Sequence, residues 1–366
     1  MATLKAHSYL SEIESYKPGK AKISGAENIK PIKLSSNENA LGSSPKAIEA
    51  YKNHAAEIFR YADGSCEILR EALARKHSID AARIVCGAGS DEIIALITAA
   101  FAGKGDEIIY SEHGFLMYPI SAKRVGASAV AVAEVKLKTN VAAILQAITV
   151  KTKIIFIANP NNPTGAYLNK DEVAQLINAV PKNVLIMLDC AYEEFAQSLA
   201  SDYPDAIALA NAHENVVVAR TFSKVYGLAS LRIGWCYGSL YVAEILNKMR
   251  GPFNVGGPAQ AAAVAALQDE EFFALTLNHN KKWLEKFFAE ILRLNKIKAF
   301  PSIANFILLD FGSEEACKKA NATLLENAII LREMTPYHLP SCLRLSIGTD
   351  AENKKLLEVL REINKN

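Results

Sequence analysis

Short apolar runs alternate with longer amphipathic stretches along most of this chain, between residues 45 and about 312. The apolar runs are rich in β-branched residues, which is typical of strands buried on both faces. The stretches between them, such as 90–102 and 170–179, repeat their apolar residues with helical spacing. The candidate strands are 83–86, 107–110, 128–132, 153–158, 184–188, 216–220 and 233–237. Strands that alternate with helices predict an α/β fold with a mostly parallel seven-stranded sheet.

The two ends of the chain differ from this middle part. Residues 1–35 are interrupted by prolines and glycines, which favours an arm with a short helix that packs on the small domain or on a partner subunit. Near 250–258 the helix-breaking residues cluster, and an alanine-rich helix follows. The last third then has candidate strands at 304–309 and 343–347, a helix at 314–327 and a final charged helix. We therefore predict a large domain at 36–255 and a smaller α+β domain at 256–366.

Composition narrows the functional classes. Of the 366 residues, 50% are hydrophobic and 22% charged, and the formal net charge is +2. This balance gives no reason to expect nucleic acid or an anionic membrane surface as a partner. The six cysteines lack the paired spacing of metal sites, so we expect no metal and a reducing environment. Neither a signal peptide nor a run of roughly 20 apolar residues occurs, so we expect a cytoplasmic protein.

In sheets of this kind, ligands bind at the carboxyl ends of the strands, so the residues after each strand are the candidates for chemistry. After 216–220 come Thr221, Ser223 and Lys224, and Arg232 lies eight residues beyond the lysine. A lysine can form an imine with an aldehyde, while the hydroxyls and the arginine can bind a phosphate on the same molecule. Taken alone, a lysine at a strand end is more often a solvated surface residue.

The residues after strand 83–86 suit a second phosphate contact. Gly87 and Gly89 permit close approach, and the helix that follows offers free N–H groups at Ser90 and Asp91. Ser90 could instead be only an N-cap, with the acidic side chains of the first turn complementing the helix dipole. The two roles are compatible.

Two further strand ends carry polar side chains. Residues 159–165 form a proline-rich turn, and the amide of Asn162 could also donate to an oxygen of a flat ligand. Asp189 leaves strand 184–188, with Tyr192 close behind it. A buried acid must be paired, so Asp189 is either a helix cap or the partner of a buried cation, such as a protonated pyridine nitrogen.

In order and spacing, these motifs resemble those of the pyridoxal-phosphate aminotransferases of fold type I. The shared motifs are Gly89-Ser90-Asp91, Asn162-Pro163-Thr164-Gly165, Asp189 with Tyr192, Ser223-Lys224 and Arg232. Within that group the chain is similar to the histidinol-phosphate aminotransferases. This narrower resemblance rests on Tyr16-Lys17-Pro18-Gly19-Lys20, Ser36-Asn37-Glu38-Asn39, Arg60-Tyr61, His113-Gly114-Phe115, Arg332-Glu333-Met334, Leu339-Pro340 and the segment 343–348.

The resemblance implies a role for each matched residue. Lys224 would form the imine with pyridoxal 5'-phosphate, and Asp189 would pair with its ring nitrogen. The other implied cofactor contacts are Asn162 and Tyr192 at the phenolic oxygen, Phe115 on the ring face, and Gly89, Ser90, Asp91, Thr221, Ser223 and Arg232 at the phosphate. The implied substrate contacts are Arg344 for an α-carboxylate, Arg332 and Tyr16 for a distal anion, and Asn39. In a homodimer, Tyr61 would reach the phosphate of the partner subunit's cofactor.

The implied reaction exchanges an amino group between histidinol phosphate and 2-oxoglutarate, with Lys224 as the base that moves a proton. Two positions depart from the family pattern: Ala40 replaces a usual proline, and His338 a usual glycine. These leave open an aromatic amino-acid aminotransferase or a threonine-phosphate decarboxylase. In the loop at 34–45, Asn37 and Asn39 would most often be turn formers. A cofactor-sensing transcription regulator would need a DNA-binding domain, for which we see no basic extension.

Overall fold

The computed structural model describes residues 4–16, 19–20, 22 and 30–365. The strands are β1 (Ile32–Lys33), β2 (Ile84–Gly87), β3 (Glu107–Ser111), β4 (Ser128–Val132), β5 (Thr152–Ala158), β6 (Leu185–Asp189), β7 (Val216–Thr221), β8 (Gly234–Tyr237), β9 (Lys298–Ala299), β10 (Phe306–Asp310), β11 (Ile329–Ile330), β12 (Arg332–Glu333) and β13 (Cys342–Ser346). The helices are α1 (Pro45–His54), α2 (Glu67–His77), α3 (Ser90–Phe101), α4 (Met117–Arg124), α5 (Val141–Gln146), α6 (Lys170–Ala179), α7 (Glu193–Leu199), α8 (Ala206–Ala212), α9 (Leu240–Met249), α10 (Gly257–Gln268), α11 (Glu270–Ile291), α12 (Glu314–Glu326) and α13 (Asp350–Lys365).

The central sheet has seven strands in the order β2-β8-β7-β6-β5-β3-β4. Neighbouring pairs from β7 to β4 are parallel, whereas β8 runs antiparallel to both β2 and β7. Each of the seven strands predicted for this sheet lies within one residue of an observed one at either end. The predicted mostly parallel α/β fold is therefore confirmed.

Helices cover both faces of this sheet, which explains why its strands are apolar along their whole length. On one face α2, α6 and α10 contribute to a core that includes Leu69, Leu176 and Ala263. On the other face α3, α4 and α9 contribute Ile97, Tyr118 and Leu246 to a second core. Both cores leave the strand ends, rather than the faces, open to ligands.

A smaller unit follows in the chain. Its antiparallel sheet has the order β12-β13-β10-β9 and packs with the later part of α11, α12 and α13 around Trp283 and Phe287. The described end of the N-terminal arm joins this unit, because β1 pairs in parallel with β11. The short 3-10 helix Ser8–Glu12 instead lies against α4, where Lys123 Nζ donates to the Glu12 carbonyl at 3.1 Å.

The predicted division into domains remains a prediction, with one refinement suggested by the packing. Helix α10, which the sequence places after the boundary at 255, packs against α1 and α2 in the core of the large sheet. Helix α11 contributes Phe273 and Leu277 to that core and Trp283 to the smaller one. We therefore propose that the boundary lies within α11. In the described part of the chain, no helix is long and apolar enough to cross a membrane.

Candidate active site

A cavity of about 240 Å³ opens where the carboxyl ends of β2, β5, β6 and β7 meet. Because β8 runs antiparallel, its first residues lie at the same edge, which brings Arg232 into the cavity even though this residue precedes a strand. The predicted site residues that line the cavity are Tyr16, Ser90, Asp91, Phe115, Asn162, Asp189, Tyr192, Thr221, Ser223, Lys224, Arg232, Arg332 and Arg344.

A larger crevice of about 1570 Å³ lies elsewhere, between residues 135–142 and 288–303. None of the predicted site residues lines it. Convergent polar and titratable side chains mark a functional site better than volume does, so we assign the site to the smaller cavity.

The amino end of α3 forms one corner of the cavity. The capping position is Gly89, which has no side chain, so Ser90 is not the N-cap that the sequence also allowed. Gly89 has a φ of +83°, and a Cβ at this position would clash with the guanidinium of Arg232. The left-handed φ favours glycine there, whereas the guanidinium is the end of a flexible side chain that can move. The first-turn N–H groups of α3 have no partner within the helix and carry partial positive charge.

Hydroxyl and guanidinium groups complete this corner. The hydroxyls of Thr221 and Ser223 lie 3.0 Å apart, and Arg232 Nη1 is 3.4 Å from the Ser223 hydroxyl. Arg232 Nη2 also lies 3.3 Å from a carboxylate oxygen of Asp91, in a half-exposed pair. An exposed pair of this kind contributes little to stability, so the arginine can turn to an anion without a large loss.

Asp189 ends β6 and is buried. Tyr118 donates a hydrogen bond of 2.8 Å to its Oδ2, while its Oδ1 has no hydrogen-bond partner among the described residues. Burial raises the pKa of this carboxyl to about 6, and the Tyr118 bond opposes that rise. The cap of α7 is Tyr192, so Asp189 is not the helix cap that the sequence also allowed. A buried carboxylate with an unused oxygen suits a cationic N–H donor.

Lys224 and Tyr192 lie beside Asp189. The ammonium nitrogen of Lys224 is 5.6 Å from the centre of the Tyr192 ring, and its positive charge acts on Asp189 against the effect of burial. The Tyr192 hydroxyl accepts a 2.9 Å hydrogen bond from the side-chain amide of Asn37. An amine, a carboxylate and a phenol thus line one wall.

Two arginines also line the cavity. Arg344 is buried on β13 and donates to the Asn162 side-chain oxygen and to the Ser35 carbonyl, the latter at 3.1 Å. Its Nε has no hydrogen-bond partner in the described residues, and burial lowers its pKa. Because Asn162 accepts from Arg344, its amide N–H groups remain available to a ligand. Arg332 is the cross-strand neighbour of Arg344 and is also buried.

Comparison with known proteins decides the family. A family model described as "Aminotransferase class I and II" matches residues 29–360. The chain belongs to the class I and II aminotransferase family. Curated histidinol-phosphate aminotransferases of Paramagnetospirillum magneticum and Maricaulis maris are 47% and 41% identical to it over 96% and 95% of this chain and 96% of each relative.

A solved structure gives the same answer. The histidinol-phosphate aminotransferase from Sinorhizobium meliloti, in complex with pyridoxal-5'-phosphate, matches this aminotransferase with a TM-score of 0.90 and 26% identity. The match covers 100% of this chain and 99% of that one. The predicted resemblance and the fold type I assignment are therefore confirmed.

Three predicted residues of this aminotransferase do not line the cavity: Gly89, which is the capping residue of α3, Asn39 and Tyr61. Asn39 donates through its amide to the Val225 carbonyl at 2.8 Å and to the Thr276 hydroxyl at 3.3 Å, and its oxygen accepts from the Leu41 N–H. These bonds make Asn39 a turn former that fastens the loop to the main body. Tyr61 is 85% exposed and lies outside the cavity of its own chain.

The sequence interpretation missed two residues that contact the site. Tyr118 lies three residues after Phe115, at the start of α4, and bonds Asp189. The sequence predicts Asn37 as a turn former and as part of a shared motif, without a role in the site, and Asn37 does have the left-handed φ of +52° that such residues tolerate. The helical spacing of the two aromatic residues was a usable signal for Tyr118, whereas nothing local indicated that Asn37 reaches Tyr192.

Proposed function

We propose that this protein is a pyridoxal-phosphate-dependent aminotransferase that exchanges an amino group between histidinol phosphate and 2-oxoglutarate, giving imidazole acetol phosphate and glutamate for histidine biosynthesis. The observation that carries the proposal is Asp189, a buried carboxylate with one unused oxygen, next to Lys224 and an anion-binding corner. Its curated relatives bear the name of this enzyme. The buried, unpaired cysteines suit a reducing compartment, and we assign the enzyme to the cytoplasm.

The residues present fit the cofactor. Ser90, Asp91, Thr221, Ser223 and Arg232 would hold its phosphate through N–H, hydroxyl and guanidinium donors. Asp189 Oδ1 would accept from the protonated ring nitrogen, which removes the cost of its burial. Asn162 and Tyr192 would donate to the phenolic oxygen, and Phe115 would cover one ring face. When bound, the cofactor takes up the amino group and delocalises the electrons released at the substrate carbon.

Lys224 would hold the cofactor covalently between turnovers and act as the base during them. Its Nζ lies close to Tyr192 and acts electrostatically on Asp189, and as a free amine it would take a proton from the substrate α-carbon and return it.

The two arginines that line the cavity would bind both substrates. Arg344 would hold the α-carboxylate of glutamate, while Arg332 and Tyr16 would contact the distal anion, either a γ-carboxylate or a phosphate. Planar guanidinium groups bind both anions through paired hydrogen bonds. Such a lining does not suit an aromatic amino acid, whose side chain carries no distal anion.

We also propose a homodimer. Tyr61 stacks on Phe253 with ring centres 4.5 Å apart, and Ile58, Phe59 and Ile68 nearby in the chain are largely exposed. Exposed apolar side chains in such density favour a subunit contact. In that dimer, Tyr61 would reach the phosphate of the partner's cofactor.

One assay tests the proposal. Purified protein with pyridoxal phosphate, histidinol phosphate and 2-oxoglutarate is expected to form glutamate, and Lys224→Ala is expected to lose both the visible absorbance of the bound cofactor and turnover. Faster conversion of phenylalanine, or release of carbon dioxide from threonine phosphate, would replace the proposed reaction by one of its alternatives.

A further inference from the structure

Asn37 links the smaller unit to the wall of the cavity. Its backbone carbonyl accepts from the Asn305 side chain at 3.2 Å, and its backbone N–H donates to the Ser346 hydroxyl at 2.7 Å. Ser346 lies on β13 of the small sheet, and only 1% of Asn37 is exposed. Its side chain points to the large unit, where its amide donates to the Tyr192 hydroxyl at 2.9 Å.

Ser346 determines the orientation of the Asn37 side-chain amide, that is, which side carries the oxygen and which the nitrogen. The serine hydroxyl accepts from the Asn37 N–H and donates its single proton to Asn37 Oδ1 at 2.8 Å. The reversed amide would set its NH₂ group against the serine, and the serine proton would then have no acceptor in the described part of the chain. The amide nitrogen therefore faces Tyr192, and the Tyr192 hydroxyl accepts this hydrogen bond instead of donating it.

The direction of the Tyr192 proton follows from this. A phenol has one proton to donate, and the side facing Asn37 already supplies a donor, so the proton must point elsewhere. Tyr192 lines the cavity next to Lys224 and Asp189. We propose that Asn37, oriented by Ser346, is a positioning residue that keeps the Tyr192 hydroxyl proton directed into the cavity, toward the phenolic oxygen of the bound cofactor.

This inference rests on the proposed function, since it assumes a cofactor with a phenolic oxygen. It goes further in one respect: the donor to that oxygen depends on β13, so the cofactor's environment is coupled to the position of the small unit. A hydrogen bond to the phenolic oxygen stabilises its anionic form and weakens its hold on the neighbouring imine proton. Loss of that bond is therefore expected to raise the pH midpoint of the cofactor's visible absorbance.

The test measures that midpoint by titrating the absorbance of the purified holoenzyme. Asn37→Gly, which tolerates the left-handed backbone, and Ser346→Ala are each expected to raise it by about half to one pH unit, the effect of one hydrogen bond to a charged oxygen. Ser346→Thr, which retains the hydroxyl, is expected to restore it. Ser43→Ala is the matched control: it removes a 2.7 Å bond from the same segment to the Gly227 carbonyl, away from Tyr192, and is expected to leave the midpoint unchanged.

Tyr192→Phe separates positioning from general structural effects. In that background Asn37→Gly is expected to cause no further shift, because the hydroxyl that it orients is gone. Two outcomes would overturn the inference. One is a further shift of the same size from Asn37→Gly in the Tyr192→Phe background. The other is a shift of the midpoint by Tyr192→Phe with none from Asn37→Gly or Ser346→Ala in the native background. If Asn37→Gly fails to fold, Ser346→Ala gives the same comparison. Absence of any cofactor absorbance in the unmodified protein would instead refute the proposed function.

Discussion

Two groups of buried charges lie almost side by side in this protein and differ in how they are compensated. Asp189 ends β6 with one hydrogen bond from Tyr118 and one oxygen without a partner. Four residues later, Glu193 and Glu194 begin α7 and face Arg220 of β7, which is 4% exposed. Arg220 Nη2 donates to Glu194 at 2.8 Å, and its Nε lies 3.4 Å from Glu193.

The second group is compensated from within the chain. Burial opposes the charge on Arg220, but the two carboxylates outweigh it and raise the arginine pKa. Burial raises the pKa of Glu193 to about 7, although Arg220 acts in the opposite direction. The guanidinium also lies 5.4 Å from the centre of the Trp235 ring. With two carboxylates and an aromatic face around it, Arg220 has no need of a ligand.

The difference between the two groups helps to distinguish a buried charge that stabilises the fold from one that serves a ligand. Burial alone does not distinguish the two groups, because both lie at the same sheet edge and both contain a carboxyl with a raised pKa. Both groups contain buried polar atoms without a hydrogen-bond partner among the described residues. Glu193 Oε2 and Arg220 Nε lie 3.4 Å apart and form an ion pair with each other, whereas Asp189 Oδ1 belongs to a residue that lines the cavity. Alternation along β7 explains the proximity, since Arg220 and Thr221 point to opposite faces of the strand. We therefore expect changes around Arg220 to affect stability and changes around Asp189 to affect catalysis.

Arg220→Met tests the structural side with the largest expected effect. The change leaves two buried carboxylates without their cation, and we expect a loss of about 3–5 kcal/mol in the free energy of unfolding, measured by urea denaturation. Turnover per folded holoenzyme is expected to stay within a few-fold of normal. Adding Glu193→Gln and Glu194→Gln should recover much of the stability. A large fall in turnover with the cofactor site fully occupied would contradict the assignment of Arg220 to a purely structural role.

Asp189→Asn tests the catalytic side. The amide cannot keep the ring nitrogen protonated, so we expect turnover to fall by roughly 10²–10³-fold while the cofactor still binds. The measurement is the steady-state rate with histidinol phosphate and 2-oxoglutarate at saturating cofactor. Near-normal turnover would show that Asp189 is only another structural charge.

The sequence predicted the strands well because apolar runs indicate burial on both faces. Its motifs named Asp189, Lys224 and Arg232, which the structure brings to one cavity, and their roles remain predictions. The sequence could not predict the contacts of Tyr118 or Asn37, because each depends on the distance between segments that are far apart in the chain. The predicted boundary before α10 stays a prediction, and α10 packs on α1 and α2. An alanine-rich helix is apolar on most sides, so its sequence does not indicate which neighbour it packs against. Asn39 belongs to a motif of the resemblance, yet its amide donates to the Val225 carbonyl and the Thr276 hydroxyl.

The pH dependence of stability sharpens the comparison without any catalytic assay. Burial raises the pKa of Asp189 to about 6 from an ordinary 3.8. The folded protein therefore loses stability as the pH rises from 3.8 through 6, by up to about 3 kcal/mol in the absence of cofactor. Asp189→Asn should remove this loss, so above pH 6 the cofactor-free variant should be more stable than the native protein. With cofactor bound, the native protein should be the more stable of the two. Unfolding free energies between pH 4.5 and 7.5, with and without cofactor, measure it. Parallel curves for the two cofactor-free proteins would contradict the assignment.

Tyr118→Phe should produce an intermediate effect. It removes the single hydrogen bond to Asp189 Oδ2 and leaves the ring stacked on Phe156, 4.8 Å between centres. Since that bond lowers the Asp189 pKa, its loss should raise the pKa further and weaken the proposed pairing with the ring nitrogen. Turnover and cofactor affinity should each fall by about tenfold. Fluorescence titration of the cofactor measures the affinity. An unchanged dissociation constant would show that packing, rather than the hydroxyl, holds Asp189.

His338 offers the smallest effect and tests whether an unusual residue beside the cavity changes its chemistry. It is exposed, has a left-handed φ of +60°, and follows Tyr337, which lines the cavity although His338 does not. The backbone conformation explains why glycine is usual at this position. We expect His338→Gly to stabilise the protein by about 0.5 kcal/mol, because relief of left-handed strain exceeds the extra chain entropy of glycine only slightly. The Michaelis constant for histidinol phosphate should not change. A several-fold change in that constant would show that a residue outside the cavity lining can still set specificity. The comparison of Asp189 with Arg220 predicts the opposite, because it assigns function only to residues that line the cavity.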